Sequence, residues 1–471
     1  MFPRRSLLRD RQGGRARACF NLVVPLGGEA APTAMRTTDT AAQPDLFGDG
    51  GASGAVSPVS DRRGDVDRTM IRRTPMIPAG PGTSRSSTAT RTTTSRRTAI
   101  GSLPSADRNG AEFSFRELLA AHLDCRQHKR SSRSCQDCEI RLEHNLVALY
   151  EELATGAYRP GPSIVFALTR PKPREVWAAG YRDRIVHHLL YNRIGPRFER
   201  TFIADSCACM SGRGTLYAAH RLEAKVRAAT QNWSRRAWYL KCDLASFFVR
   251  IDKRILWNLL APRIHEPWWH ALAELVLVHD PRPGAEIHGA RELLARVPAG
   301  KSLLHQPAHL GLPIGNLSSQ FFANVYLDQL DQFVKHQLRV RHYVRYVDDI
   351  VLLHESPQQL NAWRAEIDAF LPQALHAGLN PAKTILQQIE RGIDFVGHVL
   401  KPWRRTIRRR TFNDALQRIA GMDAEDVHVA ANSYFGLLRQ ASHSHRDRAR
   451  LANVVRRRGL AVDHKLRKAY P

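Results

Sequence analysis

Two adjacent carboxylates, Asp348 and Asp349, lie between the apolar runs 343–347 and 350–353. Each run is short and rich in the residues that favour strands, so the segment reads as a hairpin with the two acids at its tip. Asp-Asp is not a favoured turn pair, unlike Asn-Gly or Asp-Gly. Because neighbouring carboxylates repel each other, a bound divalent cation is a physical reason to keep them there.

A third acid, Asp243, ends another strand-like run upstream, at 238–243. Three carboxylates from two strands can hold two Mg²⁺ ions roughly 3.5–4 Å apart and align a hydroxyl with a reacting phosphate. Hard oxygen ligands suit Mg²⁺, which completes its shell with phosphate and water. The alternative for Asp243 is that it caps a helix over 251–260.

Asp348 and Asp349 end the sequence Tyr346-Val347-Asp348-Asp349, which resembles the Y-x-D-D hairpin of reverse transcriptases, and Asp243 with Phe248 resembles the first palm motif of that family. Further segments resemble the other blocks of the family in the right order, and the likeness covers roughly 113–440: they are 170–174, 181–188, 211–215, 311–320, 380–384 and 395–398. The resemblance implies an α/β right-hand polymerase fold with fingers, palm and a small helical thumb. It also implies RNA-directed DNA polymerase activity on a template RNA, with a DNA or RNA primer, dNTPs and a cDNA product.

Two positions indicate which class of reverse transcriptase the chain resembles. Bacterial reverse transcriptases commonly read Q-G-x-x-x-S-P before the hairpin, whereas this chain has Ile314 and Gln320 at the first and last positions. That pattern resembles the enzymes of diversity-generating retroelements, which copy template adenines with errors and are implied to work with a small helical accessory protein. The alternatives are a retron-like, group II intron-like or phage-defence reverse transcriptase, and an RNA-binding scaffold that keeps the polymerase fold without synthesis.

The resemblance also implies roles for individual side chains. The catalytic and metal-binding residues are Asp243, Asp348 and Asp349, holding two Mg²⁺ ions. The expected nucleotide-binding residues are Lys172, Arg174, Phe248, Ile314, Gly315, Gln320 and Lys383. The expected template- and primer-binding residues are Arg182, Arg184, Arg213, Arg404, Arg405 and Arg408.

The composition suits a nucleic-acid enzyme. The formal charge is +27 and the pI about 10.5, which indicates a surface that neutralises phosphates. Seven cysteines in a long chain form no disulfide framework and indicate reduced thiols. No apolar run approaches the length of a membrane span, so we expect a bacterial cytoplasmic protein without membrane contact.

Four regions are expected. Residues 1–110 lack apolar periodicity and are predicted to be a disordered basic extension, or the product of a misassigned start before Met35 or Met70. Residues 111–235 should form N-terminal helices and the fingers, 236–403 the palm, and 404–471 a helical thumb with a basic tail. A variable region is expected near 279–308, with an exposed turn at 280–283.

One group of residues has spacing that could bind zinc: His122-x-x-Cys125 and Cys135-x-x-Cys138. Both pairs fall in segments that can be helical, where residues three apart share a face in any case. We favour packing over a metal, and zinc stays the alternative.

Overall fold

The chain was analysed as a computed structural model, which describes Leu103 and residues 112–471 except 128, 131, 170 and 171. The predicted extension over 1–110 therefore lies outside the described residues, apart from Leu103. So do Arg170 and Pro171 of the first fingers motif.

Helices dominate the described part of the chain. In chain order, α1 to α14 span Phe115–Arg126, Arg133–Ile140, Leu142–Ala154, Tyr181–Glu199, Thr215–Ala229, Phe247–Arg250, Lys253–Leu260, Pro267–Val278, Arg291–Ala295, Leu317–Gln332, Pro357–Leu375, Arg409–Gly421, Ala424–Leu438 and His445–Arg457. None of these helices combines the length and apolar composition needed to cross a bilayer.

The strands are short. In chain order, β1 to β12 span Ser163–Leu168, Arg174–Ala179, Trp238–Asp243, Glu286–Ile287, His342–Tyr346, Asp349–His354, Ile385–Gln388, Ile393–Phe395, His398–Lys401, Arg404–Ile407, Ala461–Val462 and Ala469–Tyr470.

The central sheet has the order β5-β6-β3-β7, and all its neighbouring strands are antiparallel. Side chains along each strand alternate between two cores, as the period of two requires. Leu240 and Leu352 belong to the larger core under α10 and α11. Tyr239, Val351 and Leu353 belong to a second core shared with α5. Helices thus cover both faces, and the free ends of β3 and β6 are left to carry polar residues.

A second sheet, β2-β1-β4, lies in the predicted fingers. Its third strand is parallel to β1 and comes from the expected variable region, which therefore docks on the fingers. The buried carboxylate of Glu175 accepts hydrogen bonds from the backbone N–H of Leu303 at 2.8 Å and from the Trp177 indole at 3.1 Å. The prediction of an exposed turn at 280–283 was wrong in part, because Pro281 is buried.

The C-terminal region has its own core between α12, α13 and α14, as expected for a small helical thumb. The predicted boundary between 403 and 404 nevertheless divides a β-hairpin, because β9 and β10 pair across a turn at Trp403. The tail after α14 ends in the small hairpin β11–β12.

The N-terminal helices pack on α4, and the predicted helical character of 113–155 is confirmed. Helix α1 begins with a capping box, in which the Ser114 side chain accepts from the Glu117 N–H and the Glu117 carboxylate accepts from the Ser114 N–H.

Candidate active site

The three predicted catalytic aspartates lie at one end of the central sheet. Asp243 is the last residue of β3 and Asp349 the first of β6, and the two are directly opposite each other in the register. Asp348 precedes Asp349 in the two-residue turn that joins β5 to β6. The sequence therefore folds two acids from one hairpin onto an acid from the neighbouring strand.

The turn between β5 and β6 differs from the predicted one. Its two residues are Val347 and Asp348, while Asp349 already belongs to β6. Val347 has φ +53°, which is a disfavoured conformation for a β-branched residue. Strain at such a position persists only when surrounding contacts hold it in place.

Asp243 is fixed by its backbone rather than by helix capping. Its carbonyl accepts a 2.7 Å hydrogen bond from the N–H of Asn380. The next helix, α6, has Ser246 at its N-cap position, and the cap of α7 is Asp252, whose carboxylate accepts from the Arg254 N–H. The alternative role of Asp243 as a helix cap is therefore wrong.

The carboxylates repel each other strongly. Burial, together with the charges of Asp243 and Asp349, raises the pKa of Asp348 to about 7. Burial also raises the pKa of Asp349, although the nearby Lys241 opposes that shift. Like charges placed directly across two strands destabilise a sheet, so the repulsion between Asp243 and Asp349 lowers the stability of this end of the sheet.

Two lysines partly offset that repulsion. The Lys383 ammonium group pairs with Asp243, and the Lys241 ammonium group lies 3.6 Å from Asp349. Lys383 thus serves here as a counter-ion of Asp243, and its expected contact with the nucleotide requires it to leave that carboxylate. Sequence reasoning missed Lys241, although its position two residues before Asp243 puts it on the same face of β3.

The donor set suits a divalent cation. Carboxylate oxygens are the hard ligands that Mg²⁺ prefers. The raised pKa of Asp348 reflects its burial and, after that, the charges of Asp243 and Asp349. In the residues the structure describes, no group of three or more His, Cys, Asp or Glu side chains is assembled as a ready-made metal site. Lysine ammonium groups on Asp243 and Asp349 occupy part of the coordination space, so cation binding involves displacing them. With that displacement, Asp243, Asp348 and Asp349 are the residues that would hold the ions.

Five of the seven expected nucleotide-binding residues come from three neighbouring segments. Lys172 and Arg174 are exposed at the start of β2. Phe248 is half-buried, and its carbonyl accepts a 2.9 Å hydrogen bond from Leu312, in the block that contains Ile314. These contacts join the segment after Asp243 to the block before the hairpin.

The same block also contacts the fingers strand β2. The carbonyl of Ile314 accepts a 2.7 Å hydrogen bond from the Trp177 N–H, and the Asn316 side chain accepts from the Ala179 N–H at 3.0 Å. At Gly315, with φ +133°, an added Cβ would lie 2.6 Å from the Trp177 carbonyl oxygen. The approach of β2 therefore requires a glycine here, and the expected contact of Gly315 with the nucleotide stays a prediction.

Gln320 and Lys383 lie apart from those contacts. Gln320 is half-buried in the first turn of α10, and Lys383 follows the Asn380 turn at the sheet end.

Three of the expected template-binding arginines are engaged inside the fingers. Arg182 pairs with Glu152 on α3, and Arg184 donates a 2.7 Å hydrogen bond to the carbonyl that ends β2. Arg213 donates to two carbonyls of the loop after α4. Their guanidinium groups brace the fingers, so any phosphate contact must use their remaining donors.

The arginines that follow β9 differ in their exposure and in their contacts. Arg404 is exposed. Arg405 is only 8% exposed, and its guanidinium donates to Glu223 on α5 at 2.6 Å and to a backbone carbonyl that follows α13. Arg408 binds Asp394 with two nitrogens. These contacts join α5 to the segment after α13 and leave little of the Arg405 guanidinium for the expected contact with nucleic acid.

The cysteine and histidine group lies inside the N-terminal helical layer. His122, Cys125 and Cys135 are buried, and Cys138 is half-buried. The Cys135 thiol donates a 3.3 Å hydrogen bond to the hydroxyl of Tyr181. Burial raises the pKa of the Cys138 thiol to about 11, so the neutral thiol is the stable form in the absence of a metal ion.

One protein family and two known proteins resemble parts of this chain. Residues 171–400 match the family described as reverse transcriptase (RNA-dependent DNA polymerase). Protein YkfC of Escherichia coli strain K12 is 23% identical over 334 residues, which cover 64% of this chain and 81% of YkfC. A solved structure of telomerase from Candida albicans, in complex with a TWJ fragment of telomeric RNA, is 12% identical with a TM-score of 0.37. That match covers 64% of this chain and 54% of the telomerase chain, so this chain spans about half of its length. Residues 171–400 are a reverse transcriptase domain, the domain type of RNA-directed DNA polymerases.

Proposed function

We propose that this protein synthesises cDNA by extending a DNA or RNA primer with deoxynucleotides along a template RNA. One observation carries the proposal: Asp243 and Asp349 face each other across β3 and β6, with Asp348 adjacent, at the open end of the sheet. Such a concentration of carboxylates costs stability, and it is useful where cations must meet a polyphosphate. We assign these aspartates to two Mg²⁺ ions, which when bound would lower the pKa of the primer hydroxyl and neutralise charge on the reacting phosphate.

The chain's own residues have the remaining tasks. The primer 3′-hydroxyl loses its proton to water, its oxygen forms a bond to the α-phosphorus of the deoxynucleotide, and the bond from that phosphorus to pyrophosphate breaks. Lys172 and Arg174, exposed at the fingers edge, are assigned to the triphosphate, because a planar guanidinium matches phosphate oxygens. Phe248 is assigned to the sugar, where a ring leaves no room for a 2′-hydroxyl. Lys383 is assigned to deliver a proton to the leaving pyrophosphate.

Primer extension tests this proposal. The full chain, a synthetic RNA template with an annealed DNA primer, Mg²⁺ and dNTPs should give a full-length product. Asp243→Asn and Asp348→Asn should give none, while Asp137→Asn, which changes an exposed acid on α2, should extend like the native protein. Extension by both site variants would overturn the proposal. Tight RNA binding without extension by the native chain would favour the scaffold alternative.

We propose further that the enzyme belongs to a diversity-generating retroelement and misincorporates opposite template adenines. The pair Ile314 and Gln320 supports this reading, because an apolar Ile314 cannot form the hydrogen bonds that a glutamine would offer to the nascent pair. Sequencing of the cDNA should show errors concentrated at adenines, and Ile314→Gln should reduce them. Errors spread evenly over the four bases would indicate a retron-like or intron-like enzyme, and an untemplated product a defence enzyme.

The same proposal includes a small helical accessory protein and a bacterial cytoplasmic location. Both come from the resemblance and the composition. A pair of near-repeats that differ only at adenines, in the DNA beside this gene, would support the retroelement assignment.

A further inference from the structure

A buried ion pair lies directly behind the catalytic turn. Arg345, in β5, and Asp331, in α10, are both completely buried. The guanidinium contacts the carboxylate with two nitrogens, Nε to Oδ1 at 2.8 Å and Nη2 to Oδ2 at 2.6 Å. Burying a charged group this completely destabilises the fold unless the group is fully paired and hydrogen-bonded.

Every donor of this guanidinium has a partner. An arginine side chain has five N–H groups. Two bind Asp331, and the others donate to the Asn324 side chain at 3.2 Å, the Ser206 hydroxyl at 2.7 Å and the Val347 carbonyl at 3.2 Å. The network thus joins α10, the loop after α4 and the turn that carries Asp348.

The contact with Val347 is the one that reaches the active site. Val347 is the left-handed residue of the turn, with φ +53°, and it immediately precedes Asp348. The backbone of Arg345 is itself fixed on both sides, since it pairs with Ile350 in β6 and with Ser206 on the other edge. The paired backbone of Arg345, its guanidinium group and the strained turn at Val347 are therefore connected by direct contacts.

We propose that Arg345 is a positioning residue: anchored by Asp331, it holds the Val347 carbonyl and so fixes where Asp348 and Asp349 present their carboxylates. This inference rests on the proposed polymerase function. It extends that function by naming the structure that keeps two repelling acids in place for cation binding. Arg345 itself is fully enclosed and meets neither substrate nor cation.

The decisive variant is Arg345→Lys. Lysine keeps the positive charge beside Asp331, but a single ammonium group cannot reproduce the planar fork that also reaches Val347 and Ser206. We expect kcat to fall by about tenfold or more, because small displacements of catalytic groups are costly. The Mg²⁺ concentration for half-maximal rate should rise severalfold, while KM for dNTP and the affinity for RNA stay within about twofold.

A second variant guards against failure to fold. Arg345→Lys disturbs a buried pair, whereas Arg345→Met combined with Asp331→Leu removes both charges and fills similar volume, which proteins often tolerate without loss of stability. The double variant should fold and still show the lowered kcat and raised Mg²⁺ requirement. Arg197→Lys is the control. Arg197, near the C-terminal end of α4, also contacts a carboxylate, that of Glu266, with two nitrogens. This variant should leave both quantities unchanged.

Three outcomes decide the inference, provided that the native chain extends primers. A raised Mg²⁺ requirement with unchanged dNTP KM supports positioning. Native kcat and native Mg²⁺ dependence in both Arg345 variants overturn it. A loss of rate that only follows the fraction of folded protein, with unchanged Mg²⁺ dependence, also overturns it and reduces the pair to a structural contact. If the native chain extends no primer, the proposed function fails first.

Discussion

Replacing Asp348 with asparagine should abolish polymerisation and, at the same time, stabilise the metal-free protein. The two side chains have the same shape, but asparagine carries no charge. In the folded chain, burial and the carboxylates of Asp243 and Asp349 raise the pKa of Asp348 to about 7 from 3.8. The native protein therefore bears the cost of a buried charge and of carboxylate repulsion, both of which the variant lacks, and we propose that this cost is kept for cation binding.

The sign and size of the effect follow from proton linkage. Between about pH 4 and pH 7 the unfolded chain has lost the Asp348 proton while the folded chain retains it, so the native stability falls as pH rises through this window. At about 1.36 kcal/mol per pH unit, the full shift corresponds to about 4 kcal/mol. Because Asp348 is partly exposed, screening by water reduces the expected gain of the variant to about 1–2 kcal/mol.

Thermal unfolding in EDTA measures this difference. The melting temperature of Asp348→Asn should exceed that of the native chain at about pH 8 and approach it near pH 4–5. Saturating Mg²⁺ should stabilise the native chain and have less effect on the variant, since a ligand stabilises only the state that binds it. Asp137→Asn, on the exposed face of α2, is the control and should show no pH-dependent difference.

One result would refute this reasoning. If Asp348→Asn melted below the native chain at about pH 8 without metal, the carboxylate would be contributing stability rather than costing it. A difference that stayed constant between the two pH values would likewise show that the effect does not come from titration of this group.

Four other variants test neighbouring claims. Gly315→Ala should lower both melting temperature and extension rate, because its Cβ would meet the Trp177 carbonyl. Arg405→Met should lower the melting temperature and leave the salt dependence of RNA binding unchanged, whereas Arg404→Met should reduce that slope by about 0.7–0.9 if Arg404 contacts a phosphate, as measured by binding at several salt concentrations. Phe248→Ala should lower the preference for dNTPs over ribonucleotides by about tenfold or more, measured as a ratio of kcat/KM.

The sequence was most informative where chemistry and periodicity coincide. The strand-forming runs within 238–243 and 343–353 predicted that Asp243 and the two acids of the hairpin come together from separate strands, and the register confirms that Asp243 faces Asp349. Helices with a clear apolar face, such as those within 113–155, could also be predicted from the sequence.

The ion-pair partners of charged side chains could not be predicted from the sequence. Nothing local to Arg405 indicates that its partner is Glu223, which is 182 residues away in the chain. The Arg345–Asp331 pair is likewise formed only when β5 packs on α10. Such contacts depend on tertiary packing, which one sequence does not specify by its spacing.

Some turns also lacked a signal. The β9–β10 hairpin turns at Trp403, which has φ +62° although tryptophan has no preference for that conformation. Strand β4 has only two residues, and its pairing with β1 depends on the docking of the whole region 279–308.

The central claim is that Asp243, Asp348 and Asp349 together hold the divalent cations of nucleotidyl transfer. Manganese binding, followed by electron paramagnetic resonance in the presence of RNA, primer and a non-hydrolysable dNTP, tests it most directly. The native chain should bind two Mn²⁺ ions, and Asp243→Asn should lose at least one of them while its RNA affinity is unchanged. Equal Mn²⁺ binding by the native chain and by Asp243→Asn would contradict the claim.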